Sequence, residues 1–563
     1  MDKITETLLK RFETDHQITE DEEDVRFEIF AGYCVARNLY GEPFEPTSLS
    51  TGGKNDCGID GFAIIADDEL ITNMSELQTI YENRKRISEL KFIFIQAKRS
   101  DKFSSGEIAK FCMGVVNSFK NESVLETNER IDEIRSMIKY VIENSNKIRQ
   151  NPDCLLYYIT TGTWNNDKAP KARFDQTKSE LDNLNIFENV EIHPWGAKDL
   201  QKAYRNIIEA NSCEVEIKQN ITLPTTKDIT ESYLGFIEIN EYLKLITSDS
   251  SNIKKSVFYS NVRDYQGDTD VNLEISKTIC TTPSKFLFFN NGVTIICKSI
   301  KRTSDRFTLT DYQIVNGCQT SHEIFKNRTE EINDVKIVIK LIVTEDEATI
   351  NNIIRATNSQ TKIPDGQFIA LGEFHKELED FYATYPQNHR LFYERRHLQY
   401  EYQDNVEKVR IVTIAGQIKA FSSMFLKLPH LACGYYGLLI KNVKKKIFKS
   451  SHKKEAYYTC AYLLYKLEYA FRNRLLERKY RPFRYHILSL FKEDYITESL
   501  ESKKIINECS NLLKIAKDNT AFVRQCKLYI DVIERCLLTK TEGDITKQAS
   551  FISTLINEHR GTN

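Results

Sequence analysis

Apolar positions in the first third of the chain alternate between helical and strand-like spacing. The pattern predicts helices over about 18–39, 105–119, 128–148, 171–184 and 198–210, and strands over 61–65, 91–98, 155–160 and 190–193. The strand at 91–98 is apolar on both faces from Phe92 to Ile95, which is typical of a central strand. Strands that alternate with helices predict an α/β sandwich.

The rest of the chain divides into two further regions. Strands are predicted at 257–259, 286–289, 293–296, 307–309, 313–315 and 335–343, with helices at 320–326 and 345–357. From about residue 410 the pattern is almost wholly helical. We therefore expect a multi-domain α/β protein, with an N-terminal sandwich at 1–215, a mixed α+β domain at 216–425 and a helical part at 426–563.

Composition narrows the class of protein. The chain has 563 residues, 41% of them hydrophobic and 28% charged, with a net charge of -2, as expected for a globular protein with several cores. No secretory signal or membrane-length apolar run is present, and the 13 cysteines form no Cys-x-x-Cys pair. We expect a cytoplasmic protein that does not contact a membrane. Any attraction to nucleic acid must come from local charge.

The strongest candidate for chemistry lies at the ends of two predicted strands. Asp60 enters the strand at 61–65, and Gln96 and Lys98 share a face of the strand at 91–98 because strand side chains alternate. Asp60 and the Gln96 carbonyl can supply the oxygen ligands that Mg²⁺ or Mn²⁺ requires. Lys98 would hold the attacking water or neutralise charge on phosphorus. Each residue alone could also be an ordinary turn or strand-end residue.

Two further residues would complete this arrangement. Glu28, in the first predicted helix, is our choice for an additional metal-binding carboxylate, with Glu23 and Asp24 as alternatives. Lys110, in the helix that follows the second strand, could contact phosphate, although a single lysine is more often a solvated side chain.

These residues resemble the PD-(D/E)XK nuclease superfamily, in the branch where glutamine replaces the acidic member of the motif. The resemblance covers roughly residues 15–210 and implies a restriction endonuclease-like fold. It also implies phosphodiester hydrolysis with Mg²⁺ or Mn²⁺, with Asp60, Gln96, Lys98 and Glu28 as the catalytic residues. Gln96 departs from the commoner pattern, and the missing negative charge weakens the expected metal affinity. A homodimer is expected only by analogy with nucleases that cut both strands.

Sequence blocks in the second region resemble the AIPR family, proteins associated with abortive infection and phage resistance in bacteria. The blocks lie at 258–267, 288–295, 314–321, 355–360, 393–396 and 428–429. The resemblance covers about residues 220–440 and implies anti-phage defence. It also agrees with a nuclease at the N-terminus, because members of the family commonly carry one.

The same blocks supply candidate ligand-binding residues. Asn316 lies with Gly317 between a predicted strand and helix, where free N–H groups can receive an anion. The amides that could read a base or nucleotide are Asn291, Asn316, Gln319, Asn358 and Gln360. The arginines that could clamp phosphate are Arg263, Arg395 and Arg396. Turns, helix caps and ion pairs would use the same residue types, so both interpretations stay open.

The helical C-terminal part has a local positive charge. Residues 441–484 contain fourteen Lys or Arg and three Glu, interleaved with aromatic residues that we expect to fill helix cores. Lys444, Lys445 and Lys446 are our candidates for nucleic-acid contacts. The candidate residues favour a nuclease acting on DNA, and the resemblance to the AIPR family implies a role in bacterial defence. The alternatives are an RNA-directed nuclease and a catalytically weak sensor that binds nucleic acid.

Overall fold

The computed structural model describes most of the chain in two compact units. The described residues are 1–67, 69–120, 122–209, 211–247, 253–254, 257–258, 270–328, 334–358, 373–395, 399–401, 403, 405–434, 436–538 and 545–562. The first unit combines Met1–Val35, Phe44–Tyr204 and Gly372–Asn563, and the second combines Ala36–Pro43 with Arg205–Leu371. The three-domain division proposed from sequence stays a prediction.

The N-terminal part of the chain contains every element that periodicity predicted there. Its helices are α1 (Lys3–His16), α2 (Glu23–Tyr40), α3 (Met74–Asn83), α4 (Ser105–Ser118), α5 (Glu129–Glu143), α6 (Lys168–Asp182) and α7 (Ala197–Ile208). Its strands are β1 (Gly61–Ala66), β2 (Glu69–Ile71), β3 (Leu90–Lys98), β4 (Asp153–Thr160) and β5 (Val190–Trp195). The sequence analysis did not predict α1, β2 and α3.

These strands form one five-stranded sheet in the order β2-β1-β3-β4-β5. Strand β1 is antiparallel to β2 and β3, whereas β3, β4 and β5 run parallel. The apolar run predicted for a central strand is confirmed, since Phe92 and Phe94 are fully buried among residues of α3 to α6. Because β3, β4 and β5 are parallel, their carboxyl ends share one edge of the sheet.

The second unit is built on a six-stranded mixed sheet. Its strands are β6 (Ser212–Glu216), β7 (Gln219–Thr222), β8 (Glu231–Glu238), β9 (Val293–Thr303), β10 (Arg306–Asn316) and β11 (Lys336–Val343), in the order β6-β10-β9-β11-β8-β7. Its helices are α8 (Ile239–Ile246), α9 (Asp270–Thr281), α10 (Phe286–Phe289), α11 (Cys318–Lys326) and α12 (Glu347–Asn358). The predicted mixed α+β character is confirmed.

Two predicted strands of this region, 286–289 and 257–259, are not strands in the described residues, and two others belong to a single strand. Residues 286–289 form a single helical turn, in which Phe286 is buried while Phe288 and Phe289 are exposed, because so short an apolar run specifies no period. The two strands predicted at 307–309 and 313–315 are one long strand, β10. Residues 257 and 258 lie in a turn, and residue 259 is outside the described residues.

The chain is helical from residue 414 onward, in agreement with the helical pattern predicted from about residue 410, and one helix and two short paired strands precede this part. These strands are β12 (Phe392–Glu394) and β13 (Ile411–Thr413). The helices are α13 (Glu373–Ala383), α14 (Ile414–Leu426), α15 (Pro429–Ala432), α16 (Tyr436–Val443), α17 (Lys454–Arg472), α18 (Arg484–Tyr495), α19 (Ile505–Lys517), α20 (Asn519–Leu538) and α21 (Ala549–Thr562). Among the described residues, no helix combines the length and apolarity needed to cross a bilayer.

The interleaved aromatic and basic residues of 441–484 have separate structural uses. The aromatic residues Tyr457, Tyr458 and Tyr462 are buried in the helical core, which confirms the prediction that the aromatic residues fill helix cores. Arg481 and Arg484 both pair with Glu468. Much of this positive charge is therefore neutralised within the protein.

Other arginines of this stretch bind the N-terminal segment within the first unit. Arg472 makes a bidentate pair with Glu45, with Nε–Oε1 and Nη2–Oε2 distances of 2.9 Å each. Arg478 donates to the carbonyl oxygens of Ser48 and Ser50 at 2.9 and 3.0 Å. The arginines therefore fix the segment 45–50, which leads into strand β1.

The Glu45–Arg472 pair is buried, with only 13% and 3% of the two side chains exposed. Burial alone would raise the pKa of Glu45, but the Arg472 guanidinium outweighs it and lowers that pKa to about 2. A carboxyl group whose pKa is lower in the folded than in the unfolded protein stabilises the fold above its unfolded pKa, which is about 4.3. That stabilisation is lost as the pH falls from there toward 2.

We predict that Glu45→Gln lowers the free energy of unfolding by about 3 kcal/mol at neutral pH, since it leaves the Arg472 charge buried without its partner. Urea unfolding followed by circular dichroism at pH 7 and pH 3 measures the effect. The difference from the wild type should narrow at pH 3, because the Glu45 carboxyl group is then largely protonated in the unfolded protein while the native pair still holds it ionised. The control is Glu6→Gln, which removes an exposed pair with Lys10 and should leave the unfolding midpoint unchanged. Equal midpoints for Glu45→Gln and wild type at pH 7 would contradict this account.

Candidate active site at the end of strand β3

Asp60 extends the pairing of β1 with β3 by one residue. Its main-chain N–H donates to the Ile95 carbonyl at 2.8 Å, and its carboxylate Oδ2 accepts the Ala97 N–H at 2.8 Å. The side chain therefore takes the place of a strand carbonyl where the ladder ends. This arrangement fixes the carboxylate, which is only 6% exposed, at the end of β3.

A tight turn delivers Asp60 to this position. Asn55, Cys57 and Gly58 have φ values of 63°, 58° and 74°, so the chain reverses within a few residues. The Asp56 carboxylate supports the turn by accepting the Gly58 N–H at 2.7 Å. Helix α4 packs directly beneath it, and a Cβ on Gly114 would lie 2.1 Å from the Cys57 carbonyl oxygen. Only glycine permits so close an approach.

Gln96 is fully buried, and neither end of its amide is hydrogen bonded. Its Nε2 and Oε1 atoms have no hydrogen-bond partner among the described residues. The residue paired with it on β4 is Tyr158, whose buried hydroxyl also lacks a partner there. An unsatisfied buried polar group costs about 1–3 kcal/mol, so both groups require a partner that the described residues do not supply.

Three ionisable groups meet beside this amide. Lys98 Nζ lies 3.4 Å from Asp60 Oδ2, and Lys98 retains 31% of its side-chain exposure. Burial raises the pKa of Asp60 to about 6, although Lys98 and the Ala97 N–H oppose the rise. Burial also raises the pKa of Glu28 to about 8, and repulsion from Asp60 adds to it. The structure thus brings Glu28 within electrostatic range of Asp60 and Lys98.

The two alternatives to Glu28 lie elsewhere on helix α2. Arg99 forms ion pairs with both Glu23 and Asp24. The distance from Arg99 Nη2 to Glu23 Oε2 is 2.6 Å, and the distance from Arg99 Nη1 to Asp24 Oδ1 is 3.3 Å. Both carboxylates are exposed, whereas Glu28 is half-buried. Of the three candidates, Glu28 is therefore the one that is half-buried and electrostatically coupled to both Asp60 and Lys98.

Asp56 is a site residue that the sequence analysis did not single out. Its charge raises the pKa values of both Asp60 and Glu28, and the Lys110 ammonium lies 3.8 Å from its Oδ1. Lys110 itself is exposed at the rim of this acidic group. The signal was present in the sequence, because Asp56 opens the Asp-Cys-Gly-Ile-Asp block that places Asp60.

The donor set fits one hard cation that keeps part of its water shell. Among the described residues, no three His, Cys, Asp or Glu side chains are grouped to hold a metal ion. The unbonded Gln96 carbonyl adds a third oxygen to the carboxylates of Asp60 and Glu28, and Mg²⁺ typically uses only one or two carboxylates. The raised carboxyl pKa values describe the group without a cation, which would compete with the protons.

Two candidate binding residues of the second unit form hydrogen bonds within that unit. Asn316 donates through Nδ2 to the Thr357 carbonyl at 2.6 Å, and Gln319 Oε1 accepts from Asn272 at 2.8 Å. Asn291 is exposed. Asn358 ends helix α12, but its side chain, like the whole of Arg263 and Gln360, lies outside the described residues. A ligand for these residues stays a prediction.

The remaining basic candidates differ in their surroundings. Arg395 pairs with Glu379 and is only 9% exposed, so a structural role occupies its guanidinium. Arg396 lies outside the described residues. Lys444, Lys445 and Lys446 form a turn directly after helix α16, with Lys444 half-buried and the other two exposed. Lys445 and Lys446 are thus the more accessible members of this cluster.

We predict that Gln96→Met raises the free energy of unfolding by about 1–3 kcal/mol, because it replaces an unsatisfied amide with an apolar group of similar shape. Thermal unfolding without divalent metal measures this. The matched control is Gln417→Met, since Gln417 is equally buried but its amide contacts Tyr382 Oη at 2.5 Å and the Tyr457 carbonyl at 3.0 Å. That variant should lose about 1–3 kcal/mol. If both variants are destabilised alike, the Gln96 amide is already satisfied and is no open ligand position.

Comparison with known proteins agrees with the resemblance found in the second region. Residues 258–537 match the family model described as AIPR protein. This segment begins later and ends later than the 220–440 expected from sequence, so it includes most of the C-terminal helices. No curated protein and no solved structure matches the chain. The chain is therefore similar to the AIPR family over residues 258–537, and this similarity suggests a part in abortive-infection phage defence.

Proposed function

We propose that the chain is a metal-dependent nuclease of a bacterial anti-phage defence system, with its active site at Asp60, Gln96, Lys98 and Glu28. The observation that carries the proposal is the fully buried Gln96 amide, which has no hydrogen-bond partner among the described residues. A buried carbonyl oxygen without a hydrogen-bond donor among the described residues is a ligand of the type that a hard cation binds.

The role that we propose for each residue follows from its charge and position. A bound Mg²⁺ or Mn²⁺ would polarise the phosphate and lower the pKa of a water molecule. Asp60 and Glu28 would hold that ion with the Gln96 carbonyl. Lys98 is positively charged and 3.4 Å from Asp60 Oδ2, so it can orient the attacking water or stabilise negative charge that develops on phosphorus.

The surrounding fold supports the proposal without carrying it. A helix followed by an antiparallel strand pair and two parallel strands, with polar residues at the end of β3, agrees with the restriction endonuclease-like fold expected from sequence. DNA is the substrate we favour, with RNA as the alternative. A homodimer would allow both strands of a duplex to be cut.

We predict that Asp60→Asn lowers cleavage at least about a hundredfold, because it removes the charge that holds the ion. The fold should persist, since the Asn carbonyl can still accept the Ala97 N–H. Lys98→Ala should lower turnover far more than nucleic-acid affinity. Cleavage of single- and double-stranded DNA and RNA, with Mg²⁺, Mn²⁺ or a chelator, measures both effects.

The control is Lys139→Ala, which removes a lysine that is exposed on α5 and paired only with Glu143 at 3.8 Å. Its cleavage rate should equal that of the wild type. Wild-type cleavage in the Asp60→Asn protein, or cleavage that survives chelation, would disprove the assignment. Tight binding without cleavage of any substrate would identify the chain as a sensor.

We also predict that changing Lys444, Lys445 and Lys446 together to Gln weakens nucleic-acid binding and its salt dependence. Each lost phosphate contact lowers the slope of log affinity against log salt by about 0.7 to 0.9. One or two contacts are expected, because Lys444 is half-buried. The control is the same change at Lys503 and Lys504, two consecutive exposed lysines of another turn. An unchanged slope would show that these lysines belong to a solvated surface and make no phosphate contact.

A further inference from the structure

A pocket of about 550 Å³ opens beside the candidate active site, at the same edge of the sheet. One wall is the loop that follows β4, at residues 162–166, and the other is the end of β5 with the start of α7, at residues 192–199. Strand β4 lies between β3 and β5. With strands roughly 4.8 Å apart, the end of β5 is roughly 10 Å from that of β3.

Both tryptophans of the chain line this pocket. Trp164 rests edge-on against Phe103, with ring centres 4.9 Å apart, and its indole N–H donates to Asn166 Oδ1 at 2.9 Å. Trp195 packs edge-on against Tyr157, with ring centres 5.0 Å apart. Both indoles are only half-buried. The protein therefore holds two large aromatic rings in place while leaving part of each ring open.

Two glycines connect the pocket to the chain that leaves β3. A Cβ on Gly162 would lie 2.0 Å from the Asp101 carbonyl oxygen, and one on Gly196 would lie 2.4 Å from the Gly162 carbonyl oxygen. The Thr161 hydroxyl also donates to the Arg99 carbonyl at 2.9 Å. The pocket walls are thus packed against the residues that directly follow Lys98, so the two sites have a fixed spacing.

We infer that this pocket holds an unpaired nucleobase of the nucleic acid that is bound at Asp60 and Lys98. Indole rings stack on bases of any sequence, and a pocket of this volume accommodates one nucleotide. Lys198 is exposed at the rim and can contact a phosphate, whereas the Asp199 carboxylate is occupied by the Gly196 N–H at 2.9 Å. The inference rests on the proposed nuclease function and adds a substrate class to it.

The ligand we infer is a nucleobase with its sugar and phosphate. Such a ligand can come from either of two sources. It can belong to a strand that continues to the active site, or it can be a free nucleotide. A base inside a duplex is covered on both faces by its neighbours, so it cannot reach the indoles without leaving the stack. The pocket therefore predicts a preference for single-stranded or locally opened substrate over intact duplex.

Tryptophan fluorescence tests this inference directly, because both tryptophans line the pocket. The full-length Asp60→Asn protein is titrated without divalent metal, so that binding is measured apart from cleavage. The probes are a single-stranded oligothymidylate, its duplex with oligoadenylate, an abasic strand of equal length, and thymidine monophosphate. We expect quenching by the single strand and much weaker quenching by the duplex and the abasic strand. Quenching by the monophosphate at similar concentrations would identify a free-nucleotide site instead.

Substitutions at Trp195 separate stacking from general binding. Trp195→Leu should weaken single-strand affinity by about five- to a hundredfold, the range for loss of one stacked base, whereas Trp195→Phe should keep most of it. Affinity of these variants is measured by anisotropy of a labelled strand, since they alter the fluorescence signal. The control is Lys202→Ala, one turn beyond Lys198 on α7 and outside the pocket.

The outcomes distinguish the two proposals. Equal affinities of Trp195→Leu and Trp195→Phe for the single strand, or an abasic strand that binds as tightly as the normal one, would overturn the base-binding pocket. Base-dependent quenching in a protein that never cleaves would leave the pocket standing and remove the nuclease assignment. Cleavage that is unaffected by substitution of Trp195 would support the nuclease assignment and overturn the base-binding pocket.

Discussion

The hydrogen bond from the Ala97 N–H to the Asp60 carboxylate sets the geometry of the candidate site. It ends the β1–β3 ladder with a charged side chain in place of a main-chain carbonyl. Gln96 and Lys98 flank Ala97, so the period of the strand places both of their side chains on one face. Because Asp60 is held by β3 itself, the carboxylate, amide and ammonium are fixed relative to one another before any ligand arrives.

The C-terminal helices take part in holding this arrangement. Arg472 and Arg478 fix Glu45 and the carbonyls of Ser48 and Ser50, and the chain then runs through Thr51, whose N–H donates to the Asp60 carbonyl at 3.1 Å. The arginines that a charge count would assign to nucleic acid are therefore part of the support for Asp60. That support offsets the unfavourable free energy of the site, which contains a buried carboxylate, a second carboxyl group with a raised pKa and an unsatisfied amide.

The carboxyl edge of β3, β4 and β5 carries two polar groups that have no hydrogen-bond partner among the described residues, together with two partly exposed indoles. The Gln96 amide and the Tyr158 hydroxyl are unsatisfied at β3 and β4, and the two open indoles flank the ends of β4 and β5. Parallel strands bring such residues together although they are far apart in sequence. A nucleic-acid strand that crosses this edge would meet the ionisable groups first and the aromatic pocket next.

The sequence by itself predicted four of the five strands of the N-terminal sheet and singled out Asp60, Gln96, Lys98 and Glu28 as candidates, because strand and helix periods depend on local spacing. It placed α10 wrongly as a strand, since four apolar residues fit either period. It favoured Glu28 and left Glu23 and Asp24 open as alternatives. Only the tertiary structure decided that question, because burial and the Arg99 pairs depend on packing. Packing likewise directed Arg472 of α17 inward to Glu45 and placed Trp164 and Trp195 around one pocket, since contacts between distant segments leave no periodic signal in the chain.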